Sequence, residues 1–220
     1  MPLSDIAENY LHARNCAIPP KDGDLRCHAS LSHPYCEYIG PALVARVTDA
    51  ITNEPMTLHQ TWIRPDGKKA NIETPRLLLK DHQKEGGVVR LWPDEELTHG
   101  LAIAEGIETA LSASFGFSPI WSLIDGQNLS NFPVLQGVEA LTIIADNDNA
   151  GRSAAHKCLK RWLAAGREVR LLIGEPTVLA FMVGCVHCSI CLLKGGPDCH
   201  TNFGQTHNYA FRVHDLRCQD

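Results

Sequence analysis

The sequence lacks the features that mark a membrane protein, a secreted protein or a strongly basic one. It has no run of about 18 apolar residues, so a membrane-spanning helix is not expected. Acidic residues come early at the N-terminus, where a signal peptide would have an apolar region. Lys and Arg number 20 against 25 Asp and Glu, a net charge of -5. We therefore expect a cytoplasmic protein without membrane contact, in which nucleic acid would bind at a local patch, a metal or a partner.

The sequence also lacks several motifs, and their absence limits the possible domain organisation and activity. The sequence contains no G-x-x-x-x-G-K-[ST] phosphate-binding loop, no N-terminal zinc ribbon and no internal repeat, which excludes a helicase motor of that loop type. Its 220 residues, 44% hydrophobic and 20% charged, are typical of a globular chain that forms one large or two small domains. The nine cysteines are expected to be thiols or metal ligands rather than disulfides.

The first 98 residues predict a small α+β module. Residues 4–14 favour a helix that Ser4 or Asp5 would cap, and the stretch 17–38, rich in Pro, Asp, His and Cys, is typical of an irregular connection. Partly alternating apolar and polar runs, separated by turn signals, then predict a small antiparallel sheet. Its predicted strands are 42–48, 57–64 and 88–92.

A second region, 99–174, alternates short apolar strands with helical segments. This alternation predicts an α/β fold, in which a parallel sheet is flanked by helices. The predicted strands are 101–105, 118–124, 141–146 and 168–174, with helices at 106–116 and 150–165 and a polar loop at 125–133. The remaining residues, 175–220, form a cysteine-rich tail without a clear helix or strand period, which is compatible with disorder.

Three acidic residues follow two of the predicted parallel strands. Glu105 ends the first strand, and Asp146 and Asp148 follow the third. Because ligand sites of open parallel sheets form beyond the carboxyl ends of the strands, we expect these carboxylates to converge at one edge. Such a cluster repels itself unless a cation lies within it, and hard oxygen ligands suit Mg²⁺. Gly106 and Gly151 begin the following helices, where small residues let backbone N–H groups approach a phosphate.

The same acids have a purely structural interpretation. Acidic residues at strand ends and helix starts often cap helices, and Asp148 could be the N-cap of the helix 150–165. Spacing alone leaves both interpretations open. Nearby, Asp125 and Asn128 are weaker candidates for supporting the site, whereas Glu108 is expected to be a solvated or capping residue.

The sequence around these acids resembles the Toprim domain, which bacterial-type primases, topoisomerases and some nucleases share. The segments IAEGIETALSAS and LTIIADNDNAGRSAAHKCLKRWLAAGREVRLL, within 99–174, carry the family pattern of a Glu after the first strand and an Asp-x-Asp after a later one. Within this family, these segments most resemble the Toprim domains of phage and plasmid primase/helicase-like proteins. The segments YLHARN, LRCH and HQTWIRPDGKKA resemble the module that precedes Toprim in them.

The resemblance implies Mg²⁺- or Mn²⁺-dependent nucleotidyl transfer, in the form of DNA primase-type primer synthesis during replication of a mobile element. Glu105 would then act as general base or acid, and Asp146 and Asp148 would hold the metal. DNA, nucleotide triphosphates and a replicative helicase are the implied partners. Two alternatives remain: a Toprim nuclease with water as nucleophile, and a catalytically degenerate nucleic-acid-binding or zinc-binding fragment.

One local basic patch offers a nucleic-acid contact. It comprises Arg64, Lys68, Lys69, Arg76 and Lys80, interleaved with Trp62. Such residues could hold a phosphate backbone or a template strand. The alternative is the solvated edge of a hairpin, where lysines also guard against aggregation.

The tail has the spacing of a weak zinc site. Cys185 and Cys188 form a Cys-x-x-Cys pair whose thiolates can reach one tetrahedral ion, and Cys191 and Cys199 could complete the ligands. The rival interpretation, which we favour, is out-of-frame or read-through coding at the end of a truncated gene. The acidic segment that the family has later is then missing, which puts catalysis in question. A second group matches no strong metal pattern and comprises Cys16, Cys27, His28 and Cys36.

Overall fold

The computed structural model describes residues 3–173 and the strand His214–Leu216. Its N-terminal elements are α1 (Asp5–His12), β1 (Leu25–Ser32), β2 (Ile39–Asp49), β3 (Pro55–Trp62), β4 (Arg76–Leu78), β5 (Gly87–Val88) and a 3₁₀ turn at Asp94–Glu96. The later elements are β6 (Gly100–Ala104), α2 (Ile107–Ala113), β7 (Ile120–Ser122), α3 (Gly126–Asn131), β8 (Ala140–Ala145), α4 (Asn149–Ala164), β9 (Glu168–Ile173) and β10 (His214–Leu216). No helix in this described part is long and apolar enough to cross a membrane.

The N-terminal sheet is antiparallel, with the strand order β1-β2-β3-β4 and with β5 beside β2. Helix α1 packs into the same apolar core as β1 and β2, through the fully buried residues Ala7, Tyr10 and Leu11. Ser4 is the N-cap residue of this helix. The predicted helix 4–14 and the predicted small antiparallel sheet are therefore confirmed, with the helix ending earlier than expected.

The sequence does not predict two strands of this sheet. β1 lies within the stretch 17–38, for which an irregular connection is predicted, and that prediction is wrong. In the observed register Leu25 lies opposite Ala45 and Cys27 lies opposite Leu43. The strand is stabilised by this pairing with β2, a contact that local composition does not reveal. β4 is likewise held by its pairing with β3.

The predicted strand 88–92 is shorter than expected and joins the two sheets. β5 pairs with β2, and the next residue, Val89, exchanges backbone hydrogen bonds of 2.8 and 3.0 Å with Ser122 of β7. Arg90 follows and is 4% exposed, with its guanidinium 4.5 Å from the centre of the Trp121 ring. The two modules therefore share a continuous interior along this segment.

The second sheet has the order β10-β9-β8-β6-β7. β7, β6, β8 and β9 run parallel, and β10 is antiparallel to β9. The helices cover the sheet with apolar side chains. In the layer formed by α4, Trp162 stacks on Phe132 with ring centres 5.9 Å apart, and both rings are buried. The predicted α/β fold, a parallel sheet flanked by helices and preceded by a small α+β module, is confirmed.

Two elements of the second half differ from the prediction. The polar segment 125–133, predicted as a loop, contains α3, which Asp125 caps by accepting a hydrogen bond of 2.9 Å from the Asn128 N–H. This helix has one fully buried apolar residue, Leu129, which is too few for a periodic signal. β10 lies within the tail 175–220, where no strand is predicted.

Candidate active site

The acidic residues lie at the carboxyl edge of the parallel sheet. β6 ends at Ala104 and β8 ends at Ala145, and Ala104 is in register with Ile144. Glu105 and Asp146 therefore leave adjacent strands at the same edge. β7 pairs with the other side of β6, so the loop before α3 opens at this edge as well.

Two glycines make room for the Glu105 carboxylate. A Cβ atom on Gly151 would lie 2.9 Å from Glu105 Oε1 and 2.8 Å from the carbonyl oxygen of Asp146. A Cβ atom on Gly126 would lie 3.3 Å from Glu105 Oε2. The two distances at Gly151 are shorter than normal carbon–oxygen contacts, so a side chain there would displace the carboxylate or the loop after β8.

The environment of Glu105 disfavours its ionised form. Burial raises the pKa of Glu105, and the negative charge of Asp146 raises it further. Asp148 and Asp125 add contributions of the same sign, and the pKa reaches about 7. Glu105 Oε1 is buried, and no group in the described part of the chain donates a hydrogen bond to it. A proton or a cation at this oxygen would relieve both the repulsion and the missing bond.

Asp148 combines a structural role with its charge. It is the N-cap of α4, and its Oδ1 accepts a hydrogen bond of 2.7 Å from the backbone N–H of Gly151. The capping interpretation is therefore confirmed for this residue. The bond uses one of two carboxylate oxygens, and the charge of Asp148 still acts on Glu105. The structural and the electrostatic interpretations are thus compatible.

The carboxylate oxygens of Glu105, Asp146 and Asp148 are ligands of the kind that Mg²⁺ prefers, but they do not form a complete metal site by themselves. Within residues 3–173, no three His, Cys, Asp or Glu side chains converge as a metal cluster. Mg²⁺ usually takes one or two carboxylates and completes its shell with waters and substrate phosphates. The buried Oε1 of Glu105 and its repulsion by Asp146 and Asp148 are features that a cation would relieve. The edge therefore fits a Mg²⁺ ion that binds together with a substrate.

The described cysteines form no zinc site. Cys16, Cys27 and Cys158 are buried, Cys36 is exposed, and none of the four joins a metal cluster in the described ranges. Burial raises the pKa of Cys16 to about 11 and that of Cys158 to about 12, so both thiols stay protonated at neutral pH. The predicted zinc ligands lie outside the described residues; they are Cys185, Cys188, Cys191 and Cys199.

The two weaker candidates for supporting the site have different roles. Asp125 caps α3 with one carboxylate oxygen and pairs with Lys84 at 2.7 Å through the other, and its charge reaches Glu105. Asn128 is buried and bonds to the N-terminal module instead. It accepts a hydrogen bond of 3.1 Å from the Gly86 N–H and donates one of 2.9 Å to the Lys84 carbonyl. Asn128 thus docks a segment of the first module onto the second.

Glu108 is the centre of a clamp between the two modules, and the prediction that it is solvated is wrong. Its side chain is 21% exposed, and Lys69 Nζ lies 3.3 Å from its Oε1. Tyr10 donates a hydrogen bond of 2.8 Å to the same oxygen. Arg76 Nη2 donates to both carboxylate oxygens, at 2.9 and 3.1 Å. We call these four residues the Glu108 clamp.

Charges decide the protonation of the clamp. Burial alone would raise the pKa of Glu108, but the positive charges of Arg76 and Lys69 outweigh it. Together with the hydrogen bond from Tyr10, they lower the pKa of Glu108 to about 2. Burial lowers the pKa of Lys69, so the desolvation of this ammonium group offsets part of its attraction to Glu108. The clamp is therefore an ion-pair network whose net effect depends on Glu108 staying ionised.

Acid should weaken the folded protein by protonating Glu108. Its pKa is about 2 when folded and 4.5 as the ordinary value, so the unfolded chain binds the proton first, and stability falls as pH drops from 4.5 to 2. The shift corresponds to at most about 3 kcal/mol. We expect the urea midpoints near pH 5 and near pH 3 to differ less in Glu108→Gln than in the unaltered protein. Glu139→Gln, at an exposed acid, should keep the full difference, and equal differences in all three proteins would contradict the assignment.

The predicted basic patch is largely neutralised by acidic neighbours. Arg64 pairs with Asp66, while Lys69 and Arg76 belong to the clamp. Lys68 is exposed and close enough to Asp66 to help lower the pKa of that carboxyl. Contact of nucleic acid with these basic residues stays a prediction, and a bound phosphate would have to replace acidic partners.

Trp62 does not belong to a nucleic-acid surface. It is fully buried and donates its ring N–H to the carbonyl oxygen of Leu31 at 3.0 Å. The expected interleaving of an accessible aromatic ring with the basic residues is therefore wrong at this position. Trp62 packs in a small apolar cluster with Ala42 and Ala70.

A parallel sheet with a Glu after one central strand and an Asp-x-Asp after its neighbour is the arrangement of a Toprim-containing protein. Residues 100–177 match the profile of the family described as Toprim domain. Residues 2–91 match the profile described as Domain of unknown function (DUF7146). The chain thus contains a Toprim domain preceded by a DUF7146 module, and the resemblance to Toprim noted in the sequence is confirmed. No curated protein sequence is significantly similar to it.

Solved primase structures are similar to this chain, and one of them shares its fold. The Aquifex aeolicus primase, with its zinc-binding and RNA polymerase domains, has a TM-score of 0.55 and 15% identity, over 86% of this chain and 56% of that one. A DNA primase domain from Pseudomonas aeruginosa has a TM-score of 0.44 and 14% identity, over 72% of this chain and 56% of that one. The chain spans about half the length of the solved primase chains it matches.

Proposed function

We propose that this chain catalyses metal-dependent nucleotidyl transfer on nucleic acid, as a DNA primase does, during replication of a mobile element. The observation that carries the proposal is the half-buried Glu105 carboxylate at the strand edge, repelled by Asp146 and Asp148 and with a buried oxygen that no described group hydrogen-bonds. DNA and nucleotide triphosphates would be the substrates, and a replicative helicase would be the partner. Toprim domains generally bind Mg²⁺, which supports this choice of metal over Zn²⁺.

Asp146 and Asp148 would hold the metal ion. When bound, Mg²⁺ neutralises negative charge on the transferring phosphate. Asp148 is fixed by its cap at the start of α4, and the backbone of Asp146 packs closely on Gly151. Both carboxylates are thus presented by ordered parts of the sheet edge, as a site that positions substrate requires.

Glu105 would accept the proton of the attacking hydroxyl. A general base works best when its pKa lies near the working pH, and a pKa of about 7 meets this condition. The acceptor is the Glu105 carboxylate, whose buried Oε1 has no described hydrogen-bond donor. The hydroxyl oxygen forms the new bond to the α-phosphorus, pyrophosphate leaves, and the proton stays on the carboxylate until solvent removes it.

Removing the two aspartate charges tests the metal. Asparagine still accepts the capping hydrogen bond at position 148, so Asp146→Asn with Asp148→Asn removes charge at little structural cost. We expect Mg²⁺ and Mn²⁺ to raise the Tm of the unaltered protein by roughly 3–8 °C at saturation and to leave the double variant unchanged. Asp22→Asn with Asp81→Asn removes the same charge from exposed positions of the first module and should keep the shift.

A primer-synthesis assay separates the candidate activities. Product that needs template, metal and nucleotide triphosphates, and that disappears in the Asp146→Asn, Asp148→Asn variant, supports the proposal. Strand cleavage without nucleotide triphosphates would show a nuclease instead. A folded protein with no metal-dependent Tm shift and neither activity would leave a degenerate binding fragment and overturn the proposal.

A further inference from the structure

A turn at one corner of the antiparallel sheet presents an aromatic ring and an apolar side chain to solvent. Tyr35, between β1 and β2, is 65% exposed, and Ile39, at the start of β2, is 61% exposed. Tyr38 lies between them and is partly buried. The hairpin after β3 adds two cations beside this turn. We call this surface the aromatic–basic corner; it comprises Tyr35, Tyr38, Ile39, Arg64 and Lys68.

The buried His33 holds this turn in place. Its backbone N–H donates a hydrogen bond of 2.8 Å to the carbonyl of Tyr38, and its ring Nδ1 accepts one of 3.3 Å from the Tyr35 N–H. Its Nε2 lies 3.0 Å from the carbonyl oxygen of Thr74. The imidazole packs edge-on against Trp62, with ring centres 4.6 Å apart, and against Tyr35 at 6.0 Å. The backbone of the turn that carries Tyr35 is therefore held in place before any ligand arrives, which lowers the entropy lost on binding.

The two cations lie in the hairpin beside the start of β2. The Ile63 N–H donates a hydrogen bond of 2.9 Å to the carbonyl of Pro41, so Arg64 lies beside the first residues of β2. The Arg64 N–H donates a hydrogen bond of 2.8 Å to the carbonyl of Lys68, so both cations belong to one tight turn. The Arg64–Asp66 pair is exposed on both sides, at 39% and 42%, and exposed pairs contribute little. A phosphate could therefore replace Asp66 as the partner of Arg64.

We propose that the aromatic–basic corner binds a single strand of nucleic acid, with a base stacked on Tyr35 and phosphates beside Arg64 and Lys68. An exposed ring next to cations is the combination that holds single strands without sequence preference. A duplex hides the faces of its bases, so the strand has to be single. The identity of this ligand rests on the proposed function.

The composition of the corner favours nucleic acid over an apolar protein segment. Two strongly exposed apolar side chains are far fewer than the roughly 20–30 residues that each side of a stable protein interface contributes. The bordering cations match a phosphate backbone that replaces Asp66 as the partner of Arg64. Glu37, in the same turn, is exposed and would repel that backbone, which gives the surface one residue whose removal should strengthen binding.

Binding of a labelled oligothymidylate of about 12 nucleotides, followed by fluorescence anisotropy in EDTA and without nucleotide triphosphates, tests the proposal. We expect Tyr35→Ala to weaken binding by roughly 5- to 100-fold and Tyr35→Phe to change it little, because stacking needs the ring and not the hydroxyl. Lys68→Gln should lower the slope of log affinity against log salt by about 0.7. Glu37→Gln should tighten binding. Phe115→Ala removes another exposed ring, in the second module, and should bind as the unaltered protein does.

Equal affinities of Tyr35→Ala, Phe115→Ala and the unaltered protein would overturn the proposal. So would a change in sedimentation of Tyr35→Ala without a change in oligonucleotide binding, which would show a protein contact at the corner. The assay contains no metal and does not use the acidic edge. If Tyr35→Ala binds the oligonucleotide normally while the unaltered protein synthesises primers, only this inference is rejected. If oligonucleotide binding depends on Tyr35 but no primer is made, only the proposed activity is rejected.

Discussion

Glu105→Gln should reduce nucleotidyl transfer by about 10²- to 10⁴-fold and make the folded protein more stable. Glutamine keeps the size of the side chain but cannot accept the proton of an attacking hydroxyl. It also carries no charge, so the repulsion by Asp146 and Asp148 disappears. Loss of activity with a gain in stability is the pattern of a residue retained for chemistry rather than for folding.

The gain in stability should depend on pH in a defined direction. The pKa of Glu105 is about 7 in the folded chain and 4.5 as the ordinary value, so the unfolded chain loses its proton first as pH rises. Ionised Glu105 therefore costs stability progressively between pH 4.5 and 7, up to about 3 kcal/mol in alkaline solution. Glu105→Gln should raise the urea midpoint clearly near pH 8 and only slightly near pH 5.

Urea denaturation without divalent metal, beside a primer-synthesis assay with Mg²⁺, measures both effects. Glu139→Gln is the matched control, because this acid is exposed and lies outside the strand edge. It should leave activity and stability unchanged. Activity of Glu105→Gln within tenfold of the unaltered protein would exclude Glu105 as the proton acceptor.

Glu108→Ala should destabilise the protein by about 2–3 kcal/mol and lower its activity as well. The substitution leaves Tyr10, Arg76 and Lys69 without their common acceptor in the seam between the modules. The cost should fall below that of a fully buried pair, because Arg76 and Lys69 are 42% and 31% exposed. Activity should fall because α2, which carries Glu108, begins two residues after Glu105.

The graded series Glu108→Gln, Glu108→Ala separates the charge of the clamp from its hydrogen bonds. Glutamine can still accept from Tyr10 and Arg76, so Glu108→Gln should lie between Glu108→Ala and the unaltered protein in urea midpoint. Glu139→Ala removes an exposed acid and should shift the midpoint by no more than about 0.5 kcal/mol in free energy. Equal midpoints of Glu108→Ala and Glu139→Ala would show that the clamp adds nothing to stability.

The second sheet was predictable because its strands carry a strong local signal. The run LTIIA of β8 is apolar except for Thr142, which is typical of a strand covered on both faces, and the helix after it is long enough to show a period. β1 carries no such signal, since LRCHASLS is mixed in polarity and stabilised by a partner that follows it in the chain. α3 is too short, and its cap, Asp125, looks like any loop residue.

The strand-edge acids were predictable, and the residues that connect the modules were not. Glu105, Asp146 and Asp148 follow apolar strands, so topology alone brings them to one edge. The partners of Glu108 lie 32 and 98 positions away, at Arg76 and Tyr10, and no periodicity indicates which charges meet across a domain seam. The role of Lys84 could not be predicted for the same reason, because its ion pair with Asp125 connects the two modules.

The buried amide of Asn128 bears on how this domain can be exchanged between proteins. It bonds to the backbone of Lys84, Gly86 and Gly87, all upstream of the parallel sheet. A sheet inherited without those residues would carry an unsatisfied carboxamide in its interior, at a cost of about 1–3 kcal/mol. The unit that recombination can move intact therefore starts before Lys84, and a gene fusion made at the first residue of β6 would have to replace Asn128 as well.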